Sequence, residues 1–416
     1  MKYGLIAQRL GHSFSPELHR MIGGYDYVLK ELPEKDLSAF FTERNFDGIN
    51  VTIPYKETVL PYLDEIDPAA AAIGAVNTVV KRQGRLYGYN TDFGGMLTLI
   101  RRMGLDLHGK QVLILGTGGT AKTAHAAAMQ LGAAEVHFVS RSSRGGAISY
   151  SEAISLHSDA DVLINATPCG MYPNLDECPI DLSYFPDLCG VVDAVYNPLS
   201  TRLVLNARQR KIPAQGGLYM LVAQAVLASE LFTAKMYCEA TLESVYSQLL
   251  RDKRSLVLIG MPGSGKTSVG RQVAAMMHRD FVDLDQKIVE QTGKPITRIF
   301  AEDGEKAFRQ LETQAIREIA GKGGLVIATG GGCILLLENI YRLRQNGCLI
   351  LLNRPLEQLL PTEDRPLADS IEKLQVLFQR RMPLYQAAAD QIISTENGVF
   401  ETAQAVVRRF NEVQCP

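Results

Sequence analysis

The run Leu256 to Arg271, LVLIGMPGSGKTSVGR, constrains the chain more than any other stretch. Leu256 to Gly260 is apolar and suits a buried strand, and Gly260-x-x-x-x-Gly265-Lys266-Thr267 follows it directly. The glycines allow the backbone to curl so that successive N–H groups point into one concavity, which holds phosphate oxygens. A helix starting near Gly265 aims its positive end at the same anion. Lys266 then reaches terminal phosphates, and the Thr267 hydroxyl is placed to ligate Mg²⁺. The pattern predicts a strand–loop–helix unit in a parallel α/β domain with a nucleotide triphosphate as ligand. It begins deep in the chain, so a large region precedes it.

A chain of 416 residues accommodates two or three domains at roughly 100–200 residues each. The net charge of −2 provides no global basic field for nucleic acid, so an anionic substrate must be met by local arginines and lysines. The seven cysteines include no C-x-x-C pair, and the odd count argues against a disulfide framework. Cys169 and Cys333 read as small buried thiols. There is no apolar run of the roughly 18 residues a membrane span needs, and the N-terminus lacks the apolar core of a signal peptide. The expectation is a soluble, cytoplasmic protein with small-molecule substrates and neither nucleic acid nor membrane as partner.

Residues 1–100 read as short strands and helices. The expected strands are Tyr3–Ala7, Tyr27–Glu31, Gly48–Ile53 and a hairpin of Val76–Val80 with Leu86–Tyr89. Three polar clusters interrupt them: Ser13-Phe14-Ser15-Pro16, then NVTIPYKE from Asn50 to Glu57, then GAVNT from Gly74 with GYNTD ending at Asp92. Each has a local explanation. Ser13 and Ser15 suit the cap of a helix opening at Pro16. Lys56 suits a solvated surface, and Asn77 and Asp92 suit turns.

Residues 101–221 change character. An apolar strand, Gln111–Leu115, leads into Gly116-Thr117-Gly118-Gly119-Thr120-Ala121 and an alanine-rich helix to Leu131. This is G-x-G-x-x-A between a strand and a helix, where a dinucleotide pyrophosphate binds. The next strand, Glu135–Val139, ends on Ser140-Arg141-Ser142-Ser143-Arg144. Arginines in place of an acidic residue favour a ribose 2′-phosphate, hence NADP. Further strands at Val162–Asn165, Val191–Val195 and Ile212–Ala214 complete a doubly wound α/β pattern. A helix starts within Gly216–Ala225 and another covers Thr241–Arg251. The boundary to the last region falls between Gln248 and Arg254, with no Gly/Ser- or Pro-rich linker.

In combination the clusters carry a resemblance. S-x-S-P, NVTIPYKE, GAVNT, G-x-NTD, the NADP-type glycine loop, NATPCGM, DAVYNP and G-x-x-ML-x-x-Q, in this order over residues 1 to about 250, resemble shikimate dehydrogenase. The resemblance implies that Ser13 and Ser15 bind the substrate carboxylate. Thr52, Asn77, Tyr196 and Gln224 line the same pocket, and Lys56 and Asp92 form the catalytic pair. Gly116, Thr117, Gly118, Gly119, Thr120, Ser140, Arg141, Ser142, Arg144 and Gly217 surround the cofactor. Reduction of a ketone turns its oxygen alkoxide-like, and Lys56 can supply both charge and proton there.

From Leu256 onward the chain resembles shikimate kinase. The phosphate loop is followed by FVDLDQK, the helix carrying FRQLE, then ATGGGC, DRPL and RRMPLY. By that resemblance Gly260, Gly263, Ser264, Gly265, Lys266, Thr267 and Ser268 hold ATP, and Arg365 closes over its phosphates from a lid. Asp283 joins Thr267 at Mg²⁺, and Asp285 contacts the attacking hydroxyl. Arg309 and Arg381 pair with the substrate carboxylate, a bidentate task suited to guanidinium, and Gly330, Gly331 and Gly332 let the substrate approach the backbone. Without the resemblance, Arg309 reads as a helix-surface partner of Glu305 or Glu312. The segment Leu356–Asp364, LEQLLPTED, is shorter than the family's lid and has no arginine.

The expected architecture is therefore α/β throughout. An N-terminal α/β substrate domain (1–100, completed by helices at about 222–250) accompanies a Rossmann NADP domain (101–221). A P-loop domain like the nucleoside monophosphate kinases (254–416) follows. The expected function is a fusion of two shikimate-pathway enzymes using NADP(H), ATP and Mg²⁺, the halves active alone when cut near Asp252. Two alternatives are a quinate-reducing first half and a shikimate- or quinate-sensing regulator. The regulator requires a basic DNA-reading segment, which is not apparent.

Overall fold

The computed structural model describes residues 1–11, 13–142, 146–359 and 370–412. The chain divides into two compact units. Unit 1 comprises Met1–Met171, Glu177–Tyr196 and Asn206–Leu249; unit 2 comprises Tyr172–Asp176, Asn197–Leu205 and Leu250–Pro416.

The first sheet of unit 1 contains β1 (Tyr3–Ala7), β2 (Val28–Glu31), β3 (Gly48–Val51), β4 (Glu65–Ile66), β5 (Thr78–Arg82) and β6 (Arg85–Tyr89). Their order is β2-β1-β3-β5-β6-β4. β1 runs parallel to β2 and β3, whereas β3–β5 and β5–β6 are antiparallel. The β5–β6 hairpin turns at Gln83-Gly84, both at positive φ, as a two-residue loop matched to strand twist requires. The hairpin starts two residues later than the sequence suggests. Val76 and Asn77 are drawn off to pair their N–H groups with the carbonyls of Lys56 (2.8 Å) and Tyr89 (3.0 Å). β3 stops at Val51, short of Ile53, because Pro54 has no donor to continue a ladder.

Helix Leu218–Thr233 packs on this sheet through Ala228 and Phe232, which share a cluster with Tyr3, Leu5, Tyr27 and Val80. It also crosses helix Thr91–Arg102 at very short range. A Cβ on Gly95 would lie 2.8 Å from the Met220 carbonyl oxygen, so only glycine fits there. Beneath it His19 is buried and stacked on Tyr27, with ring centroids 4.0 Å apart.

The second sheet of unit 1 is wholly parallel. It contains β7 (Gln111–Leu115), β8 (Glu135–Val139), β9 (Val162–Asn165), β10 (Gly190–Asp193) and β11 (Ala214–Gln215), ordered β11-β10-β9-β7-β8. β11 begins after Pro213, not at Ile212, since Pro213 offers only its carbonyl, which Val191 takes at 2.9 Å. The strand order reverses beside β7. The crevice beyond β7 and β9 is the place where open α/β sheets bind ligands.

Unit 2 holds the third sheet, the second that is wholly parallel, with β12 (Ser255–Ile259), β13 (Phe281–Asp283), β14 (Val326–Ala328), β15 (Gly347–Asn353) and β16 (Gln391–Ser394) ordered β13-β14-β12-β15-β16. Alternate residues of its central strands serve two cores. Val257, Ile259, Leu349 and Leu351 enter one, and Leu256, Leu258, Ile350 and Leu352 the other. Burial on both faces explains why these strands are continuously apolar.

Helix Leu337–Asn346 of unit 2 buries a polar face: Asn339, Arg342, Gln345 and Asn346. Its partners come from the short early segments of the same unit. Arg342 bonds both oxygens of Asp176 (2.9 and 2.8 Å), Gln345 donates to the Leu175 carbonyl (2.6 Å), and Asn346 accepts from Leu199 N–H (2.9 Å). Arg202 forms a two-point ion pair with Glu338. Unit 2 is thus more than the residues after Asp252. The boundary between Leu249 and Leu250 lies within helix Glu239–Lys253, with Arg254 alone separating that helix from β12.

Candidate active sites

Unit 1 brings the first group of polar residues together around Lys56. The turn after β3 carries Lys56, whose Nζ donates to Asp92 Oδ2 at 2.5 Å. Both side chains are largely buried, at 15% and 13% exposure, so this pair is shielded from the screening that weakens surface ion pairs. Asp92 sits in the first turn of helix Thr91–Arg102, where the helix dipole favours a carboxylate. The side chain of Asn90 caps that helix by accepting from Phe93 N–H at 3.1 Å. Asn77 is 3% exposed and accepts from Thr91 N–H at 2.7 Å. Asn50 extends the network. It accepts from Tyr27 Oη (2.7 Å) and donates to Thr78 Oγ1 (2.9 Å), which bonds Asn77 in turn.

Ser13 and Ser15 lie 3.2 Å apart, hydroxyl to hydroxyl, at the start of helix Ser15–Gly23. The cap position is occupied by Phe14, whose side chain makes no cap hydrogen bond. The Phe14 ring lies 5.5 Å from that of Tyr196, and burial raises the Tyr196 phenol above its ordinary pKa. Thr52 closes the turn after β3, its carbonyl accepting from Tyr55 N–H at 3.0 Å. Gln224, on helix Leu218–Thr233, donates to the Leu221 carbonyl at 2.8 Å, and its Cβ lies against Gly95.

The glycine loop of unit 1 opens beside the same lysine. Gly116 adopts φ +108°, and a Cβ there would meet Thr167 and the Ala166 carbonyl, so the ends of β7 and β9 nearly touch. Gly118 is the cap of helix Gly119–Gln130, and a Cβ on Gly119 would lie 3.7 Å from Lys56 Cδ. Thr117 and Thr120 flank these glycines at the helix N-terminus. Gly217 has no room for a side chain, since a Cβ would lie 2.2 Å from the Ala194 carbonyl oxygen. Arg141 is exposed just past β8, beside Ser140 and Ser142, with Ser140 Oγ accepting from Ser142 N–H at 3.3 Å. Arg144 lies outside the described residues.

Unit 2 has a cavity of about 610 Å³. Its lining includes Gly263, Gly265, Lys266, Thr267, Ser268, Asp283, Asp285, Arg309, Gly330, Gly331, Gly332 and Arg381, so residues more than a hundred positions apart meet in one space. Gly260, Gly263 and Gly265 all have positive φ, as the curled loop requires, and Ser264 is buried beneath it. Lys266 Nζ bonds the carbonyls of Gly260 (2.8 Å) and Met261 (2.9 Å). Thr267 Oγ1 donates to Asp283 Oδ2 at 2.6 Å. A hydroxyl and a carboxylate in contact are oxygen donors of the kind a hard Mg²⁺ takes alongside phosphates and water.

Asp285 faces Glu312 across Gly330, where a Cβ would lie 2.8 Å from Asp285 Oδ1 and 2.7 Å from Glu312 Oε1. Arg309 bonds Glu312 (2.9 Å) and Glu305 (3.1 Å), and its guanidinium lies flush on Gly332. The helix-surface pairing of Arg309 and its place in the cavity are therefore both realised. Burial raises the Glu312 carboxyl above the usual range, against the opposing pull of Arg309. Arg309 is itself shifted up, burial opposing and the two glutamates prevailing, so it remains a cation. Arg381, 5% exposed, donates to the Gly331 carbonyl at 2.9 Å. Arg365 lies outside the described residues.

Three participants were not singled out as site residues from the sequence: Asn50 in unit 1, and in unit 2 Arg354 and Glu312, the latter read only as a helix-surface partner of Arg309. Asn50 sits inside the NVTIPYKE run and Glu312 one helical turn after Arg309, so local spacing could have found both. Arg354 carries no such signal and enters the cavity only because β15 ends beside the phosphate loop.

Both parts of the chain match known protein families. The family model described as shikimate dehydrogenase substrate binding domain matches residues 5–79, and that of shikimate kinase matches residues 262–411. A shikimate dehydrogenase (NADP(+)) of Clostridium perfringens is 35% identical over 265 residues, covering 59% of this chain and 97% of that protein. Shikimate dehydrogenase 1 of Peptoclostridium difficile is similar in structure, with a TM-score of 0.56, 33% identity, and coverage of 60% of this chain and 98% of that one. The shikimate 5-dehydrogenase of Thermus thermophilus, solved in complex with NADP(H) and shikimate, gives a TM-score of 0.53 at 31% identity, covering 60% of this chain and 99% of its own. Over some three-fifths of its length the chain belongs to the shikimate dehydrogenase family, and its remainder carries a shikimate kinase domain, which makes it a bifunctional enzyme of the shikimate pathway.

Proposed function

We propose that unit 1 reduces 3-dehydroshikimate to shikimate with NADPH and that unit 2 phosphorylates shikimate on its 3-hydroxyl with MgATP. The observation that carries the first assignment is the buried Lys56–Asp92 pair facing the glycine loop. Bound in the crevice beyond β7 and β9, NADPH supplies the hydride. Lys56 meets the developing alkoxide with an ammonium and delivers a proton to it. Asp92 fixes that ammonium and accepts from a ring hydroxyl. Ser13 and Ser15 hold the carboxylate, while Thr52, Asn77, Tyr196 and Gln224 bound the ring. Arg141 and Arg144, with Ser140 and Ser142, take the 2′-phosphate.

In unit 2, Asp285 accepts a hydrogen bond from the attacking hydroxyl. Arg309 and Arg381 hold the carboxylate, and Glu312 orients Arg309. Lys266 exchanges its two loop carbonyls for phosphate oxygens. Thr267 and Asp283 would hold Mg²⁺, which would supply neutralisation of phosphate charge, and the protein's share is positioning and electrostatics, as is general for phosphoryl transfer.

The test is a coupled assay on the full chain supplied with 3-dehydroshikimate, NADPH and MgATP. The expected product is shikimate 3-phosphate, identified by mass. NADPH oxidation without phosphorylated product overturns the second assignment. Faster reduction of 3-dehydroquinate than of 3-dehydroshikimate overturns the first.

A further inference from the structure

We propose that Arg354 is a nucleotide-phosphate ligand of unit 2, acting from the end of β15. The proposal rests on the kinase reading of this cavity. β15 runs parallel to β12, with Leu351 in register with Ile259, so both strands release their chains at the same edge of the sheet. β12 releases the phosphate loop and β15 releases Arg354, one residue past its end at Asn353. The two exits are close enough that a Cβ on Gly260 would lie 2.8 Å from the Leu352 carbonyl oxygen. Pro355 follows at φ −54°, which fixes the direction in which the backbone leaves.

The guanidinium is poorly occupied by protein. Its hydrogen bond among the described residues is from Nη1 to the Gly263 carbonyl in the middle of the phosphate loop, at 3.4 Å, beyond the usual N–H···O range. Its Nε is buried without a partner among the described residues. A guanidinium offers five donors, and a buried donor left unmade is costly. The other cations of the cavity make shorter hydrogen bonds, although Arg309 Nε is also buried without a partner among the described residues. Arg309 is engaged by two glutamates, Arg381 by the Gly331 carbonyl, and Lys266 by two loop carbonyls. Arg354, whose bond to Gly263 is the longest these cations make among the described residues, therefore has donors to spare beside the loop whose N–H groups collect phosphate oxygens. A planar fork suits that ligand. The side chain is anchored on the sheet, so it does not depend on the segment Leu356–Asp364, which contains no arginine.

The experiment compares the full chain with Arg354→Ala and Arg354→Lys. For each, MgATP and shikimate KM, kcat, and the binding of MgADP and adenosine are measured, with the thermal transition of unit 2 as the folding control. Loss of a charge-assisted contact predicts a rise of roughly ten- to a hundredfold in MgATP KM and MgADP Kd for Arg354→Ala. Adenosine binding and shikimate KM should hold, and lysine should restore part of the loss. Unchanged MgATP and MgADP affinity overturns the proposal. So does an equal fall in adenosine affinity, which would place the side chain on the nucleoside, or in shikimate affinity, which would place it on the other substrate. If the wild type fails to phosphorylate shikimate, the kinase reading fails, and MgADP binding still decides the role of Arg354.

Discussion

Lys56 and Asp92 are joined by a 2.5 Å Nζ–Oδ2 contact across 36 positions of sequence, one residue in the turn after β3 and the other in the first turn of helix Thr91–Arg102. Two chain segments are held to each other by this pair, and both backbones are independently fixed. The Lys56 carbonyl accepts from Val76 N–H, and Asn90, the helix cap two residues before Asp92, donates to the Ala75 carbonyl. The ammonium is therefore positioned before any substrate arrives, the condition under which an electrostatic group contributes most to a transition state.

Replacing Lys56 by alanine should lower kcat for reduction by about 10²–10⁴-fold, the usual worth of a general acid, with a smaller change in KM. Phosphorylation by the same molecules should continue. The check is NADPH oxidation with saturating 3-dehydroshikimate, and retention of activity within about tenfold would remove Lys56 from the role.

Asp285→Asn keeps the shape of the side chain and removes the charge that accepts the attacking hydroxyl's hydrogen bond. Phosphate transfer should fall steeply while MgADP still binds, since Asp285 lies across the cavity floor, beside Gly330 and Glu312. Single-turnover kinetics with shikimate, read beside calorimetric MgADP binding, separates the two. A variant with normal turnover would contradict the assignment.

Unit 1 should lose stability in mild acid through His19. Burial lowers its pKa to about 3 from 6.5, opposed by a hydrogen bond that Asn50 accepts from the ring, and Nδ1 lies 2.6 Å from Tyr25 Oη and 3.1 Å from Ser229 Oγ. Between these two values the unfolded chain binds a proton that the folded chain refuses. Stability therefore rises with pH across this window, by up to about 1.4 kcal/mol per unit, and levels off above about 6.5. The phenols of Tyr25 and Tyr27 are both shifted upward by burial and stay neutral throughout. Thermal unfolding of wild type and His19→Gln between pH 4 and 7 should show a shallower dependence in the variant. Parallel curves would mean that other groups set the acid response.

Cutting the chain at Asp252 should yield a second fragment weaker than the same region in the intact protein. That fragment lacks Tyr172–Asp176 and Asn197–Leu205, which satisfy the buried polar face of helix Leu337–Asn346. Arg342, 4% exposed, would keep Glu338 at 3.1 Å but lose Asp176. Asp176→Ala in the full chain is the milder version. Because Asp176 is half exposed, its loss should cost only about 1 kcal/mol, in line with solvent-screened pairs. Both effects are readable as a lowered melting transition of unit 2. An unchanged transition in the cut protein would restore the expectation of fully separable halves.

The sequence by itself determined the local chemistry. Wherever a function needs a backbone conformation or a short spacing, it is written in consecutive residues. The phosphate loop from Gly260 to Thr267, the glycine turn from Gly116 to Ala121, and the apolar strands feeding them are instances, and the strand–loop–helix form follows from torsional freedom and periodicity alone. Strand ends were less legible: β5 and β11 shift because Val76, Asn77 and Pro213 follow hydrogen-bonding options that only neighbouring strands present. Tertiary structure alone decided which distant residues share a cavity. Arg354 is an unremarkable cation in sequence and meets Gly263 only because β15 and β12 are parallel neighbours. The extent of unit 2 was likewise hidden, since the partners of Arg342 and Gln345 lie some 170 positions earlier. Sequence spacing constrains torsions and turns, but burial of a polar face requires partners whose identity is set by packing.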